Sequence, residues 1–331
     1  MPTGPLVSVI IPAYNAGPYI ADTLESALGQ TYPHREIIVV DDGSTDDTER
    51  RVEPYLRQIR YIRQENGGEG KARNRGLRAA TGDYIALLDA DDLLLPEKIE
   101  IQLQVAARHP ESSMIVCDGA GFEGGRVVTK RLLVGALATR LDGEPTRELT
   151  GHFYLDLLAR NAITCPAQTL IPRPVVERVG AMMEDRRVGI DWDYNLRIAH
   201  DGPITFHRDL LVGYRYLPTS ISGPRRLRSF TYAVRDIPVL KRHLDLYGPN
   251  DRSFVRSSLR QRVREQAREA YHYARTRDSV YGREYLRKLF WIAPEEPVTL
   301  LWLLATWVPS AVISALAGWR RSPESLRKRI E

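Results

Sequence analysis

Cysteine is almost absent: Cys117 and Cys165 are the only two in 331 residues. Two thiols cannot staple a small secreted scaffold, and so few point to a reducing compartment. The N-terminal apolar run, Val7–Ile11, is only five residues long. That is too short for the h-region of a secretory leader, so none is expected. Familiar catalytic signatures are missing as well. Gly67-Gly68-Glu69-Gly70-Lys71-Ala72 contains a Gly-Lys pair but neither the spacing nor the Ser/Thr of a P-loop, and Arg73 breaks the dinucleotide-binding glycine pattern. No H-E-x-x-H, C-x-x-C or G-x-S-x-G stretch occurs. This removes the motif-based zinc peptidase, thiol oxidoreductase and serine hydrolase readings.

What remains has ordinary globular composition, with 43% hydrophobic and 27% charged residues. The length suits one large or two ordinary domains. Charge is split unevenly. Residues 1–224 carry 25 basic and 31 acidic side chains, whereas residues 225–331 carry 22 and 11. Such asymmetry predicts two regions, the basic one meeting a polyanion such as a membrane surface or nucleic acid, or simply water. Its Tyr271, Tyr273, Tyr281 and Tyr285 suit helix packing better than base stacking, so no nucleic acid is expected.

Val298–Trp319 then runs 22 residues without a charge, long enough for a transmembrane helix. Pro309 divides it, and Arg320, Arg321, Arg327, Lys328 and Arg329 follow, which favours a cytoplasmic C-terminus. A single crossing would put that end opposite a cytoplasmic N-terminal domain. An in-plane or re-entrant segment resolves the conflict, as does a buried pair of soluble helices.

The first 120 residues alternate strand and helix patterns. Val7–Ile11, Glu36–Asp41, Tyr61-Ile62 and Tyr84–Leu88 read as strands, and Ile20 to Leu28, Lys71–Ala80 and Pro96 to His109 as helices. Ser44 or Thr45 is the expected N-cap of a further helix. Farther on, Gly124-Gly125 marks a hairpin, His152–Ala159 and Asp191–His200 read as helices, and Thr169–Ile171 and Leu211–Tyr216 as strands. Residues 225–290 are largely helical. Such alternation predicts a mostly parallel sheet covered by helices, with ligands beyond the carboxyl ends of its strands.

Acidic or polar clusters fall at three such ends, after Ile11, Val40 and Leu88. In Asp89-Ala90-Asp91-Asp92, Asp89 and Asp91 stand two apart and share one face of an extended chain. Two hard carboxylates on one face suit Mg²⁺ or Mn²⁺ together with substrate phosphates. A plain acidic surface loop is the bland alternative.

Four stretches in order, Val7-Ser8-Val9-Ile10-Ile11-Pro12-Ala13-Tyr14-Asn15, Val40-Asp41-Asp42-Gly43-Ser44-Thr45-Asp46, Ala72-Arg73-Asn74-Arg75-Gly76 and Asp89-Ala90-Asp91-Asp92, resemble the family 2 glycosyltransferases of GT-A fold. They cover roughly residues 6–110, and Gly189 to Arg197 extends the resemblance to about residue 222. Residues 225–331 are not covered. The resemblance implies an α/β, GT-A-like, mostly parallel sheet flanked by helices over residues 1–222. Residues 1–120 would bind a nucleotide-sugar and 121–222 would form the acceptor side, with 223–331 a basic helical C-terminal region. The implied activity is inverting transfer from a nucleotide-diphosphate sugar, UDP-linked, to a hydroxyl of a glycan or lipid-linked acceptor. A divalent metal, Mn²⁺ or Mg²⁺, would serve as cofactor, in cell-surface glycan or polysaccharide assembly. With the charge-free segment, this predicts a cytoplasmic protein, peripheral or monotopic at the inner face of the membrane.

Roles carry over by position. Pro12, Tyr14 and Asn15 would form the first loop around the nucleotide, Tyr14 nearest the base. Asp41 or Asp42 would accept a hydrogen bond from the base, Asp42 being favoured. Lys71 or Arg73 would lie near the donor, Asp89 near ribose or metal, and Asp91 on the metal. Asp191 would be the base that deprotonates the acceptor hydroxyl. Asp193 is the second choice, expected to pair with Arg197 at i+4. Serving as a helix N-cap is the plain alternative for Asp191. Two positions depart from the family pattern: Ile190 stands where a Glu is usual, and Leu217 where a His is common. His207 is expected at the surface. Two other classes compete. A nucleotidyltransferase would want a basic glycine-rich loop where Pro12-Ala13-Tyr14-Asn15 stands, and a catalytically silent nucleotide- or carbohydrate-binding protein would need no base.

Overall fold

Val7–Ala13 forms β1, buried on both faces as its mainly aliphatic composition, with Val7, Val9, Ile10 and Ile11, allows. The computed structural model describes residues 4–133, 135–186, 188–217, 228–246, 249–276, 279–294 and 297–307. The chain divides into two compact units, Met1–Gly223 and Pro224–Glu331.

In the first unit β1 is followed by α1 (Ile20–Leu28), β2 (Arg35–Asp41), α2 (Thr48–Val52), β3 (Arg60–Arg63), α3 (Glu69–Ala79) and β4 (Tyr84–Leu87). The four strands align in parallel in the order β3-β2-β1-β4. Their register places Ala13 beside Asp41 and Asp41 beside Arg63, so three strands end level. Leu87 lies opposite Ile10, so Leu88–Asp92 runs out at the same carboxyl edge. Helix α1 buries Ile20, Leu24 and Ala27, the expected i, i+4, i+7 stripe.

The remainder comprises β5 (Leu93–Leu94), α4 (Lys98–Arg108), β6 (Met114–Glu123), β7 (Arg126–Thr129), α5 (Ala136–Gly143), β8 (Glu148–Gly151), α6 (Tyr154–Ala159), β9 (Thr169–Pro172), α7 (Arg173–Val179), α8 (Ile190–Asp201) and β10 (Ile204–Arg215). The sheet continues as β4-β9-β6-β10-β5, with β7 on β6 and β8 on β10. Here only β6-β10 is parallel. The parallel block β3-β2-β1-β4 is therefore one half of a mixed sheet. Strand β6 passes through residue 120, so both halves share one sheet. The expected hairpin is present, Gly124 and Gly125 taking positive φ between β6 and β7.

Three local expectations differ. Helix α2 starts at Thr48 after Asp47, without a side-chain cap bond, because Ser44 is engaged elsewhere. Strand β10 begins seven residues before Leu211, paired with both β6 and β8. His207 lies on it and is buried, its Nδ1 3.1 Å from Asp209. Both cysteines are buried and free.

The second unit contains α9 (Arg228–Leu246), α10 (Pro249–Thr276), α11 (Ser279–Ile292) and α12 (Val298–Ala305). Helix α10 packs on the other three, burying Val255, Leu259, Val263, Ala267, Ala270 and Ala274 at helical spacing. Tyr285 donates to Gln266 and Tyr271 packs on Trp302, the packing role expected of these aromatics. No described helix is long and apolar enough to cross a membrane. Of the charge-free stretch, residues 308–319 lie outside the described residues, as do Arg320 to Arg329.

Candidate active site

Three loops meet at the carboxyl edge of the parallel strands. Asn15, after β1, has φ 50°, a conformation Asn tolerates better than most residues. Its side chain explains the choice, since Oδ1 accepts from the Thr45 and Asp46 amides at 2.8 and 3.3 Å. The Asn15 amide in turn donates to Ser44 Oγ at 3.0 Å. Pro12 is half-buried beneath this loop and Tyr14 stands exposed above it. The first loop is thus laced to the Asp-Asp-Gly-Ser loop, with an aromatic face free at its rim.

Asp41 and Asp42 are both buried, and both already hold protein donors. Asp41 accepts from the Ser44 amide at 2.8 Å and the Tyr61 hydroxyl at 2.5 Å. Asp42 accepts from Gln64 Nε2 and the Gly67 amide on Oδ1, and from the Gly68 amide on Oδ2. It therefore pins the chain entering α3. Gly43 between loops needs its positive φ, and a Cβ there would meet the Asn66 amide at 2.8 Å.

The second cluster is electrostatic. Arg73, buried on α3, bridges Glu69 at 2.5 Å and Asp89 at 2.6 Å. Glu69, although 39% exposed at its side chain, is pushed up to about 7 by the protein packed around it, with Arg73 opposing and Asp89, Asp191 and Asp91 adding repulsion. Asp91 is pushed up to about 6, by desolvation first and then by Asp89. Asp92 is buried and held well above the usual carboxylate range by the same two causes. Its Oδ1 accepts from the Arg215 amide at 2.9 Å while Oδ2 is buried with no partner among the described residues. The Arg215 guanidinium donates to the Asp91 carbonyl at 2.8 Å and to Asp22, and lies over the Phe122 ring. The acidic loop is clamped from β10.

Asp191 falls in the first turn of α8, half-buried, with no hydrogen bond or ion pair among the described residues. The helix is capped by Gly189 in the left-handed region, so Asp191 is not the N-cap. Ile190, where the family pattern has an acid, is buried. Asp193 faces inward and pairs with Arg197 at 2.9 Å, leaving Asp191 as the unengaged carboxylate. Arg197 also donates to the Val179 and Ala181 carbonyls, fixing the loop that leads to α8. Asn74 holds the other side of that loop, donating to the Met182 carbonyl and Glu184 and accepting from the Met182 amide. Gly70 lets α3 approach, since a Cβ there would collide with the Met183 carbonyl oxygen.

The structure thus brings Arg73, Asp89, Asp91 and Asp191 together. Lys71 is exposed about half a turn round α3 from Glu69 and Arg73, and packs on Gly67. It belongs to the loop held by Asp42, not to the acidic cluster. Among the described residues, no group of three or more His, Cys, Asp or Glu is arranged as a metal cage. Sequence reasoning passed over Glu69, Asn74 and Arg215. The i,i+4 spacing of Glu69 and Arg73 was a readable signal. The partners of Asn74 lie 108 to 110 residues away and left no local trace.

Residues 8–171 match glycosyl transferase family 2. The chain belongs to that family. Similar curated proteins include an uncharacterized glycosyltransferase of Rickettsia prowazekii, 32% identical over 211 residues, covering 64% of each chain. Another is a putative teichuronic acid biosynthesis glycosyltransferase, TuaG of Bacillus subtilis, 47% identical over 105 residues, covering 30% of this chain and 41% of TuaG. The chain spans between 17% and 64% of the lengths of the Rickettsia relatives it matches. Among solved structures, S. aureus TarS is similar with TM-score 0.63 at 19% identity, over 91% of this chain and 53% of TarS. The mannosyltransferase PcManGT of Pyrobaculum calidifontis has TM-score 0.55 at 20% identity, over 99% of this chain and 84% of its own. At such identity the similarity is one of fold, the GT-A fold of this family 2 chain.

Proposed function

We propose that this protein transfers a sugar from a nucleotide-diphosphate sugar, UDP-linked, to an acceptor hydroxyl in glycan or polysaccharide assembly, inverting the anomeric carbon. The observation that carries this reading is the convergence of Asp89, Asp91 and the unengaged Asp191 on the Glu69–Arg73 pair at the carboxyl edge of the parallel strands. Folding gives no reason to gather so many carboxylates, and their repulsion costs stability unless a ligand offsets it. Solved TarS structures hold UDP and UDP-GlcNAc, and PcManGT holds GDP-Man and Mn²⁺, which supports a nucleotide-sugar donor and a divalent cation.

Asp89 and Asp91 fit such a cation, because Mg²⁺ and Mn²⁺ take one or two protein carboxylates and complete their shell with phosphate and water. The crowded Asp91 is the group a positive charge would relieve most directly. A bound divalent cation would supply Lewis-acid stabilisation of the diphosphate. The chain's own residues do the rest. Pro12, Asn15 and Tyr14 bound the nucleotide, with Tyr14 offering its ring to the base. Asp42 keeps acceptor capacity on Oδ2 for a pyrimidine N–H. Arg73 orients Asp89 by its 2.6 Å contact. Asp191 accepts the proton of the acceptor hydroxyl as the oxygen attacks the anomeric carbon and the nucleoside diphosphate departs. Displacement in one step inverts that carbon. We place the acceptor on residues 121–222, and the enzyme on the cytoplasmic side of a membrane that holds a lipid-linked or growing glycan.

The test is thermal unfolding with a panel of UDP- and GDP-sugars, with and without Mn²⁺, paired with release of nucleoside diphosphate. A native-state ligand raises Tm by mass action. Asp191→Asn is expected to keep the Mn²⁺-dependent shift and lose turnover by about 10²–10⁴-fold, the usual worth of a general base. No shift with any sugar nucleotide would sink the donor site. Unchanged turnover in Asp191→Asn would sink the base.

A further inference from the structure

In the second unit, α12 carries its side chains the wrong way round for a water-facing helix. Thr299 is fully buried and Thr306 almost so, and Trp302 and Leu303 share their side, Trp302 packing on Tyr271. The opposite stripe holds Leu300, Leu301 and Leu304 with Trp307 just beyond the helix end. Leu301 is 65% exposed, Leu304 57% and Trp307 70%. Spacings of three and four residues put these side chains on one face. A surface helix of a soluble protein turns its leucines inward and its threonines outward. Here both threonines point into the protein, while Leu300, Leu301, Leu304 and Trp307 point out.

Scattered exposed leucines need no explanation, but a contiguous apolar face marks a partner. Charge says which partner. The chain from residue 225 onward carries 22 basic and 11 acidic side chains. On α10, Arg252, Arg256, Arg260, Arg264 and Arg268 recur every four residues and all are exposed. An apolar helix face with interfacial Trp, on a unit of strong positive charge, matches the chemistry of a bilayer bearing anionic headgroups. Helix α12 is eight residues long, too short to cross.

We propose that Leu300, Leu301, Leu304 and Trp307 seat this unit in the interface of an anionic lipid bilayer, with α12 lying in the membrane plane. This rests on and deepens the placement of the protein beside a membrane, and it is independent of whether sugar is transferred. The leucines enter the headgroup–acyl boundary, the Trp307 ring sits at the interface, and the basic surface is drawn by the lipid charge.

The experiment is flotation of the full chain with two kinds of vesicle, phosphatidylcholine alone and phosphatidylcholine with one third phosphatidylglycerol. Binding is expected to the anionic vesicles, falling as salt rises. Leu301→Ser with Leu304→Ser should weaken it by about tenfold per leucine. Because both residues are exposed, the variant's thermal unfolding and sugar-nucleotide response should match the parent's. Loss of those responses in both chains, with vesicle binding intact, would count against the transfer reading and leave this one standing. No binding of the parent to anionic vesicles overturns the proposal. So does equal binding by the variant. Self-association of the parent that the double substitution abolishes, without vesicle binding, would assign the face to a second copy of the chain and overturn it likewise.

Discussion

Replacing Asp91 by Asn should stabilise the protein while damaging the site. Burial and the neighbouring Asp89 push the Asp91 carboxyl from 3.8 up to about 6. A tenfold change in proton affinity corresponds to about 1.4 kcal/mol. The ionised form therefore costs the fold at most about 3 kcal/mol, with Arg215 offsetting part of the repulsion. The direction with pH follows from proton counting. Below about 6 the folded carboxyl holds a proton that the unfolded one releases above 3.8, so stability falls as pH rises through this window. Above it the penalty is complete, and below 3.8 both states are protonated and it disappears. Asn keeps the side-chain shape and removes the charge. In chelator-treated buffer at about pH 7.5, Asp91→Asn is expected to gain about 1–3 kcal/mol. That corresponds to a rise in Tm of several degrees. By about pH 4 the gain should have vanished. Adding Mn²⁺ should raise the Tm of the parent and leave the variant nearly unmoved. Chemical denaturation of both chains from about pH 4 to 8 checks this directly. A variant no more stable than the parent at the upper end of that range, or a gain that ignores pH, would refute the claim that these carboxylates repel in the folded state.

Other consequences concern the supports of the site. Asn74→Ala removes three hydrogen bonds to the loop before α8, leaves buried groups unpaired, and should cost about 1–3 kcal/mol by denaturation. If that loop aims Asp191, kcat should fall more than donor affinity, and Asn74→Asp should restore little, since it lacks the amide donor. Gly70→Ala tests the same junction, because its Cβ would press on the Met183 carbonyl and must displace the loop, again lowering kcat more than donor affinity. Arg215→Ala releases the Asp91 carbonyl and Asp22. It should weaken Mn²⁺-dependent donor binding in a thermal-shift titration while leaving the proposed base, Asp191, in place.

Local signals made the architecture legible. Strands β1, β2 and β4 announced themselves as short stretches rich in β-branched and aliphatic residues, as strands buried on both faces require. The acids stood at the strand ends because a parallel sheet presents its loops on one edge, and the D-x-D triplet fell there by sequence alone. Asp193 and Arg197 were readable as an i+4 pair. Helix caps were less legible. Ser44 looked like a cap but satisfies Asn15, since in three dimensions the nearest orphan amide belongs to another loop. Lys71 and Arg73 looked equivalent, yet two residues of helix turn them to opposite sides of α3.

The sequence by itself determined the family, the α/β order of the first unit and the carboxylates on which the proposed chemistry rests, since these follow from residue type and short-range period. Tertiary structure decided which of them are engaged. Asp193 is neutralised within its helix and Asp191 is not, Glu69 is crowded by acids up to 122 positions away in the chain, and Asn74 reaches a loop more than a hundred residues on. Those are contacts between distant segments, and no local pattern encodes them. The same holds for α12: its sequence is largely apolar, and only packing against α10 and α11 determined that Thr299 and Thr306 point in and Leu300, Leu301 and Leu304 out.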